Sequence, residues 1–596
     1  MKRFLALALV LISFTQVFAA APDIFVAYPD NKSSVPYDHV LLEGSVTAGA
    51  NLTINDKAID VGDDGLFIEW YPLQAGLNTL LMKTTKGNDF SALVYEITSN
   101  PAKVMPETPT KIDPDTVEPY ADSTWYTLEN GVIQMYFVGS PKGTASFMIG
   151  DKGPFPMLER SAAAFPGVQN ALEMQGVYEG SYTLQAGDKF DAAAINLSLK
   201  GIDGNTVTIK ADSKVTINLQ AQPRVGIFTA EALPGISSST QVARNGVGRA
   251  YILYPRAGTK FMLVGEDGST YRCKIATGQH VFVRKDRMTL LPVGTAVPRQ
   301  YFSTIRTKRA GKGTQIRFEL GDRMPYMLLH DAQQNSLNLK LFYTNADVDY
   351  IVSANPDPLV RDIRWSQQAD NVFEAKIDLK TAQLWGYTVA YEGNTLVLEL
   401  RDAPKINLMR PLEGQKITID PGHGGEDTGG AGPLRVPEKD IVFAISKQLE
   451  KALMKRGAIV TLTRNSDVEI GLLDRSIIAD QAGSSVFVSV HANALPDGVD
   501  PKTAKGFGAF YFQPQSRKLA QTIQDTVRAS IPDYGDDGTH YQNLAVTRPT
   551  QMLQVLLESG FLTDKSNLRY MMSQSGQIRL AEAYATGLER FFRSTK

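Results

Sequence analysis

Two histidines stand at the ends of short apolar runs that are typical of buried β-strands. His423 follows Ile417-Thr-Ile-Asp420 through a glycine-rich turn, and His491 directly follows Val486-Phe-Val-Ser-Val490. The chain has only six histidines in 596 residues, so two at equivalent places form an informative pattern. Because strand ends in an α/β sheet present reactive groups in the segments that follow, the pattern predicts a metal site.

Two carboxylates complete the residue types that a hydrolytic zinc site requires. Zinc in such sites commonly takes three protein ligands and leaves a fourth position for water. Glu438 follows Pro437, which suits the first turn of a helix, and we predict it as the third ligand beside His423 and His491. Glu558 follows another apolar run. We expect it to be a catalytic carboxylate that takes a proton from water and passes it to a leaving amine.

Each of these residues also has an ordinary structural explanation. A histidine after a strand is more often a turn or packing residue than a ligand. Glu438 suits a helix N-terminus, where the dipole favours a carboxylate, and Glu558 alone would usually be a strand-end charge in solvent. The occurrence of all four after buried-type strands favours the metal site.

Other polar residues close to these motifs carry weaker patterns. His540 ends the polar segment Asp536-Asp-Gly-Thr-His540 and is expected in a solvated loop, with substrate contact as the alternative. Arg464 and Arg475 are expected to be structural and paired with carboxylates. Glu426 and Asp427 are expected to form a turn, with an outer contact to a metal-binding histidine as the alternative.

The elements that must position these residues follow Pro411, where the pattern becomes an α/β alternation. The helix expected to begin at Glu438 has an apolar stripe that should pack on a sheet, and Gly457 should end it. The expected strands are 416–420, 458–463, 486–490 and 552–557, and the expected helices are 438–456, 519–527 and 577–592. We assign residues 412–596 to an α/β zinc hydrolase domain.

Six short blocks occur in order within this domain. They are Ile419-Asp-Pro-Gly-His-Gly-Gly425, Glu438-Lys-Asp-Ile441, Thr463-Arg-Asn-Ser-Asp467, Leu473-Asp-Arg475, Ser489-Val-His-Ala-Asn493 and Leu557-Glu-Ser-Gly-Phe561. In these blocks the domain resembles the zinc-dependent N-acetylmuramoyl-L-alanine amidases of the amidase 3 family. The resemblance implies that His423, Glu438 and His491 bind Zn²⁺ and that Glu558 is the catalytic carboxylate. It also implies the substrate, the amide between N-acetylmuramic acid and the L-alanine of the peptidoglycan stem peptide.

The chain departs from the family's pattern in two places. Asp427-Thr-Gly-Gly430 stands where the family often has Asp-Pro-Gly-Ala, a change confined to a loop. Only 66 residues separate His491 from Glu558, which leaves no room for the long insertion whose helix blocks the zinc in some periplasmic members. We therefore predict a domain that is active without a separate activator protein.

The chain before residue 412 indicates several all-β modules, so the protein is expected to be multidomain. The predicted segments are an immunoglobulin-like β-sandwich at 22–99, a proline-containing linker at 100–118, a β module at 119–219, an SH3-like β barrel at 220–297 and an AMIN-like β domain at 298–403. The last two resemble modules that commonly place such amidases on the cell wall. Wall targeting is therefore expected, with a role as spacer as the alternative.

The N-terminus and the charge indicate an exported protein. Residues 1–21 combine Met1-Lys-Arg3, a mostly apolar run and small residues suited to cleavage, which is typical of a signal peptide. No run reaches the roughly 20 apolar residues of a bilayer span, so no integral membrane segment is expected, and the protein should be secreted to the periplasm or cell envelope. A net charge of −2 without a polybasic run argues against a nucleic-acid partner.

Two other classes of function remain open. One is a non-catalytic wall-binding or adhesion protein with an inactive hydrolase domain, against which the intact set of four residues argues. The other is a cysteine peptidase that uses Cys273, the single cysteine of the chain, with His280. These two residues fall in one predicted hairpin, far from any helix N-terminus that would activate a thiol.

Overall fold

The computed structural model of the protein describes most of the chain. The described residues are 21–101, 105–163, 173–220, 224–230, 242–246, 250–311, 313–353, 357–430, 432–495, 499–501 and 504–595. The signal peptide predicted for residues 1–21 lies, but for Ala21, outside the described residues. The chain divides into two compact units, residues 1–101 with 431–436, and residues 102–430 with 437–596.

A two-sheet β-sandwich occupies residues 24–99, a segment that is described throughout. Its strands β1 to β8 span Ile24–Tyr28, Ser33–Val35, His39–Val46, Asn51–Ile54, Lys57–Ile59, Leu66–Pro72, Gly76–Lys86 and Asp89–Ser99. One sheet has the order β1-β3-β6 and the other β2-β8-β7-β4-β5. Leu42 and Phe67 of the first sheet share a core with Met82 and Ile97 of the second. The sandwich matches the architecture that the strand spacing predicted, and its immunoglobulin-like identity stays a prediction.

A continuous sheet begins the second unit, where two separate modules were expected. Its described strands β9 to β23 span Ile112–Glu118, Ser123–Trp125, Val132–Gly139, Thr144–Ile149, Lys152–Ala163, Glu173–Thr183, Ala193–Lys200, Thr206–Ile217, Arg224–Phe228, Ala243–Arg244, Tyr251–Leu253, Lys260–Asp267, Thr270–Ala276, Gln279–Arg284 and Met288–Leu290. Strand β10 pairs with β16 on one side and with β20 on the other. The boundary expected near residue 220 is therefore bridged by main-chain hydrogen bonds, and the SH3-like identity stays a prediction.

The predicted linker at 100–118 is irregular over only part of its length. Its last seven residues are strand β9, Ile112–Glu118, which pairs with β11. Prolines in this segment suggested a stiff spacer, but proline is compatible with an edge strand because one side of such a strand needs no N–H donor.

A second sandwich follows at residues 300–401. Strands β24 to β32 span Gln300–Ala310, Gly313–Glu319, Tyr326–Asp331, Ser336–Phe342, Thr344–Val352, Val360–Ala369, Val372–Leu379, Tyr387–Glu392 and Thr395–Arg401. Its sheets have the orders β28-β24-β25-β32-β31 and β26-β27-β30-β29. Phe342 and Tyr343 of this sandwich pack in one core with Phe228 and Phe261 of the preceding sheet. The neighbouring β modules thus share buried surface, and the AMIN-like identity of this one stays a prediction.

The C-terminal region is the α/β domain that the sequence predicted. Its described strands β33 to β38 span Lys416–Pro421, Ile459–Leu462, Val486–Asn493, Phe507–Tyr511, Asp536–Tyr541 and Leu553–Phe561, and its helices α1 to α5 span Glu438–Lys455, Leu472–Gln481, Arg517–Ser530, Lys565–Met572 and Gln574–Ser594. The sheet order is β34-β33-β35-β38-β36-β37. Strands β33, β35 and β38 are parallel neighbours, so their carboxyl ends lie at one edge of the sheet. Among the described residues, no helix has the length and apolar character of a membrane span.

The second sandwich packs directly on this α/β domain. The buried Trp385 ring lies 5.4 Å from the ring of Phe592 in α5, measured between ring centres. The main-chain N–H of Tyr387 donates to the carbonyl oxygen of Thr550 at 2.8 Å. These contacts show that the sandwich and the α/β domain are joined by a packed interface.

Candidate metal centre

The structure brings His423, Glu438 and His491 together at the carboxyl ends of β33 and β35. One nitrogen or oxygen atom from each lies within 4.8 Å of the others. Nε2 of His423 is 3.2 Å from Oε2 of Glu438, and Nδ1 of His491 is 3.0 Å from Oε1 of the same carboxylate. Two imidazoles and a carboxylate at this separation could hold a divalent metal ion.

Each of the three residues is positioned by a different local structure. Strand β33 ends at Pro421, and His423 then adopts φ +57°, a left-handed conformation that few non-glycine residues take. Glu438 is the first residue of α1, as the sequence predicted. His491 lies inside β35, which continues to Asn493, rather than just past the end of the strand as expected.

The carboxylate of Glu438 is buried and held from several sides. Its Oε1 accepts a hydrogen bond from the main-chain N–H of Ala492 at 3.0 Å, and its Oε2 accepts one from Gly430 at 2.8 Å. Gly429 has φ +69°, and a Cβ atom there would lie 2.5 Å from Oε2 of Glu438 and 2.7 Å from the His423 ring. Only glycine therefore fits this turn without displacing the carboxylate.

Asp427 orients one of the imidazoles. Nδ1 of His423 donates to the Asp427 carboxylate, with both oxygens at 2.9 Å. The main-chain N–H of Gly424 also donates to the Asp427 carbonyl oxygen at 2.8 Å, so the expected turn and the outer contact to a histidine are both present. A proton fixed on Nδ1 leaves the lone pair of Nε2 directed at the donor set. The adjacent Glu426 is exposed.

Glu558 lies beside the donor set on the next strand. In the sheet register it is opposite His491 of β35 and opposite Gly508 of β36. Its Oε2 atom is shielded from solvent and has no hydrogen-bond partner among the described residues. Burial, opposed by the charge of His491 and reinforced by that of Glu438, raises the pKa of Glu558 to about 7. A half-buried carboxylate with one shielded oxygen and a pKa near neutrality is typical of a group that transfers protons.

The electrostatics of the three clustered residues favour a bound cation. Burial lowers the pKa of His423, but Glu438 and Asp427 outweigh it and raise that pKa to about 9. Glu438 likewise raises the pKa of His491 against the effect of burial. The two imidazoles hold the pKa of Glu438 below its ordinary value although burial opposes this. The cluster therefore attracts positive charge, and a divalent cation would replace the protons of the imidazoles.

Comparison with known proteins assigns this region to a family. Residues 417–590 match the model of Amidase_3, described as N-acetylmuramoyl-L-alanine amidase. The C-terminal region is an Amidase_3 domain. The matched residues include His423, Glu438, His491 and Glu558, and the match assigns the domain to the N-acetylmuramoyl-L-alanine amidase class of enzymes.

Individual relatives each align with about a third of the chain. The probable cell wall amidase LytH of Staphylococcus epidermidis is 33% identical over 186 residues, which cover 31% of this chain and 60% of the relative. The chain thus spans about 60% of the length of the curated relatives it matches. Among solved structures, an N-acetylmuramoyl-L-alanine amidase from Clostridium difficile 630 is 33% identical, with 31% of this chain and 100% of that chain covered and a TM-score of 0.29. AmiC2 of Nostoc punctiforme is 30% identical, with 30% and 98% covered and a TM-score of 0.29.

Two buried arginines hold the metal-site loop of the Amidase_3 domain. Arg475 pairs with the buried Asp420 at 2.8 Å and donates to the His423 carbonyl oxygen at 3.0 Å, so its expected pairing with a carboxylate is present. Arg464 was expected to pair in the same way. In the described contacts it instead donates to main-chain carbonyl oxygens, which include those of Pro421, Gly422 and Lys439.

His540 was expected in a solvated loop, but it lies in strand β37 of the Amidase_3 domain. Its Nε2 donates to Asp537 at 2.9 Å, and its ring stacks on Phe510 with ring centres 4.6 Å apart. Asp537 was not predicted as a site residue, although its charge adds to the raised pKa of Glu558. The polar composition of this edge strand hid its β structure, and no spacing signal marked Asp537.

Cys273 and His280 do not form a catalytic pair. In the pairing of β21 with β22, Cys273 is opposite Val281 and His280 is opposite Lys274. Side chains alternate between the faces of a sheet, so Cys273 and His280 point to opposite faces. Burial also raises the pKa of the Cys273 thiol, which suppresses the reactive thiolate. The geometry therefore argues against the cysteine peptidase hypothesis.

Proposed function

We propose that the protein is an exported, zinc-dependent peptidoglycan amidase that cleaves the amide between N-acetylmuramic acid and L-alanine. One observation carries the proposal. The donor set of His423, Glu438 and His491 lies next to Glu558 inside an Amidase_3 domain, and Oε2 of Glu558 is shielded from solvent with no hydrogen-bond partner among the described residues. Two imidazoles and one carboxylate are a ligand set that catalytic zinc sites use.

Some site residues would bind the metal ion, and another would transfer protons. His423 through Nε2, His491 and Glu438 would hold the ion, and Asp427 fixes the ring of His423. Bound zinc supplies Lewis acidity, which polarises a carbonyl group and lowers the pKa of water to about 7. The hydrogen bonds to Glu438 from Ala492 and Gly430 keep its carboxylate in place.

Glu558 is the proposed general base and acid. With a pKa of about 7, it is partly ionised near neutral pH and can accept a proton from the attacking water at Oε2. Once protonated, the same oxygen can deliver the proton to the departing amine of L-alanine. A general acid–base with a pKa near the working pH is the most effective choice, because both protonation states are then populated.

The remaining parts of the chain fit a wall enzyme. We propose that the predicted signal peptide exports the protein to the periplasm or cell envelope and that the β modules place it on peptidoglycan. The packed interface between the second sandwich and the Amidase_3 domain supports this, because binding by the sandwich would fix the orientation of the metal centre. The alternative, a non-catalytic adhesion protein, would not require Glu558 to hold a shielded oxygen without a described hydrogen-bond partner beside a metal-binding cluster.

Digestion of purified peptidoglycan by the full chain tests the proposal. We expect release of stem peptides with a free L-alanine amine, detected by mass spectrometry, and loss of that release in the presence of a zinc chelator. Glu558→Gln should retain zinc and lose most turnover, whereas His423→Ala should lose both. The exposed Glu413→Gln is the matched carboxylate control and should behave as the wild type. Undiminished peptide release by Glu558→Gln would remove this residue from the proposed role.

A further inference from the structure

The second compact unit contains a cavity of about 400 Å³ outside the metal centre. Its aromatic lining comes from three segments of the chain. Tyr251 and Tyr254 belong to the predicted SH3-like segment, Tyr326 to the second sandwich, and Phe512 and Tyr541 to the Amidase_3 domain. The volume falls within the range of small-ligand sites, roughly 300–1,000 Å³. Since all three segments form its wall, the cavity exists only in the assembled unit.

Two guanidinium groups are fixed in the wall of this cavity. Arg548 is 7% exposed, its Nε donates to Asn543 at 2.7 Å, and its guanidinium carbon lies 5.5 Å from the centre of the Tyr251 ring. Arg256 is 8% exposed, and its Nε lies 3.4 Å from the Tyr326 hydroxyl oxygen. The described lining contains no aspartate or glutamate. The aromatic faces suit a ligand that has apolar faces, and the two guanidinium groups are held as fixed parts of the wall.

A second cavity of about 420 Å³ adjoins the first. The two share His330 and Pro514 in their walls. Arg517 and Lys518, at the start of α3, line the second cavity, and its described lining again contains no acidic residue. We call the two cavities together the aromatic–basic groove. Two adjoining cavities of one charge type suit an extended polymer better than a compact metabolite.

The aromatic–basic groove is separate from the metal centre. Strand β36 pairs with β38 so that Gly508 is opposite Glu558, and Phe512 lies four residues further along the chain. At about 3.4 Å per strand residue, the groove begins roughly 14 Å from the level of Glu558. A ligand in the groove would therefore leave the metal centre open, whereas one long polymer could occupy both.

We propose that the aromatic–basic groove binds a second, uncleaved segment of peptidoglycan. The sugar rings would pack on the tyrosine rings, and the free carboxylates of the stem peptides would meet the exposed side chains of Arg517 and Lys518. The identity of this ligand rests on the function proposed for the metal centre, while the preference for an anionic ligand rests on the groove alone. Binding there would hold the enzyme on its polymer between cleavage events.

Co-sedimentation of the full chain with insoluble peptidoglycan tests this proposal. Glu558→Gln serves as the parent protein so that the polymer stays intact during the measurement. Tyr541→Ala and Lys518→Glu alter exposed groove residues, and Tyr120→Ala and Lys451→Glu alter residues outside the groove, with Tyr120 and Tyr541 both 66% exposed. We expect the Kd of each groove variant to rise about tenfold, the effect of losing one good anchor, and the control variants to match the parent.

The outcomes separate this proposal from the function of the metal centre. If the groove variants bind peptidoglycan as tightly as the parent, the groove is not its binding site. Equal competition by chondroitin sulfate and by soluble muropeptides would also contradict the proposal, because it would indicate a general polyanion site. Digestion of the same polymer by the wild type is measured in parallel. If the groove variants lose binding but the wild type does not digest the polymer, peptidoglycan binding in the groove is supported and the proposed amidase activity is contradicted.

Discussion

Nδ1 of His423 lies 2.9 Å from both carboxylate oxygens of Asp427. The opposite ring nitrogen, Nε2, is 3.2 Å from Oε2 of Glu438. The imidazole is thus held between a carboxylate outside the cluster and one inside it. This arrangement fixes which ring nitrogen carries the proton and which one faces the metal position.

Replacing Asp427 by asparagine should weaken metal binding without removing a ligand. The amide cannot accept the Nδ1 proton with the strength of a carboxylate, so the ring loses both its fixed orientation and part of its basicity. We expect zinc affinity to fall about 10- to 100-fold, the usual effect of losing such a partner. Competition with a chromogenic chelator measures it, and the neighbouring exposed Glu426→Gln is the control. Equal affinity of Asp427→Asn and the wild type would show that the contact does not tune the site.

Glu558 should destabilise the metal-free protein above neutral pH. Its pKa is about 7 in the folded protein, above the ordinary value of 4.5 for a glutamate. Below pH 4.5 the group is protonated in both the folded and unfolded states, so it contributes no penalty. Between pH 4.5 and 7 the unfolded chain releases this proton while the folded protein keeps it, so stability falls across that window. Above pH 7 the folded protein holds an ionised, desolvated carboxylate and the full penalty remains. At about 1.4 kcal/mol per pKa unit, the penalty reaches up to about 3 kcal/mol.

Glu558→Gln should therefore be more stable than the wild type in the presence of a chelator near pH 8, and the difference should vanish near pH 4. Amide hydrogen exchange in β35 and β38 measures the opening free energy of this domain separately from the β modules. Glu413→Gln, an exposed carboxylate, should show no such difference. A wild type that equals Glu558→Gln at both pH values would contradict the raised pKa.

The helices and strands of the α/β domain could be predicted from the sequence because each has a local signal. Helix α1 was predicted at 438–456 and spans Glu438–Lys455, and Gly457 adopts the φ of +88° expected after a helix end. The apolar strands β33, β35 and β38 each lead to one of the predicted site residues. Parallel order and strand ends then bring together residues that lie far apart in the sequence.

The modules before this domain were harder to predict because their boundaries depend on pairings between distant strands. Nothing local to Ser123–Trp125 indicates that β10 joins two halves of one sheet. Likewise, the polar strand Asp536–Tyr541 has no hydrophobic alternation, because it lies at the sheet edge beside β36 alone. Arg464 was assigned a carboxylate partner on charge alone, whereas its surroundings in the fold are main-chain carbonyl groups.

The ion pair of Arg475 and Asp420 should be critical for the stability of the Amidase_3 domain. Both side chains are almost fully buried, and Asp420 also accepts hydrogen bonds from Thr463 at 2.5 Å and Ser489 at 2.7 Å. Arg475→Ala leaves a buried carboxylate without its counter-charge and should cost about 3–5 kcal/mol. Arg528→Ala breaks surface pairs with Asp525 and Asp536 and should cost about 1 kcal/mol. Thermal unfolding with bound zinc compares the two, and equal midpoints would contradict the distinction.

The segment between His491 and Glu558 predicts activity without an activator protein. Among its described residues there is one α-helix, α3, which buries Leu519, Ile523 and Val527 and packs on α5 and β36. This helix contributes to the hydrophobic layer behind the sheet, so it is not available to cover the metal centre. We expect the purified full chain to release stem peptides from peptidoglycan with no other protein present. Addition of a soluble envelope extract should leave the rate within about twofold, a difference well below 1 kcal/mol in barrier height. The extract without the chain measures any amidase that the extract itself contains. If the purified chain releases no stem peptides alone and does so only with the extract, some part of the chain blocks the site.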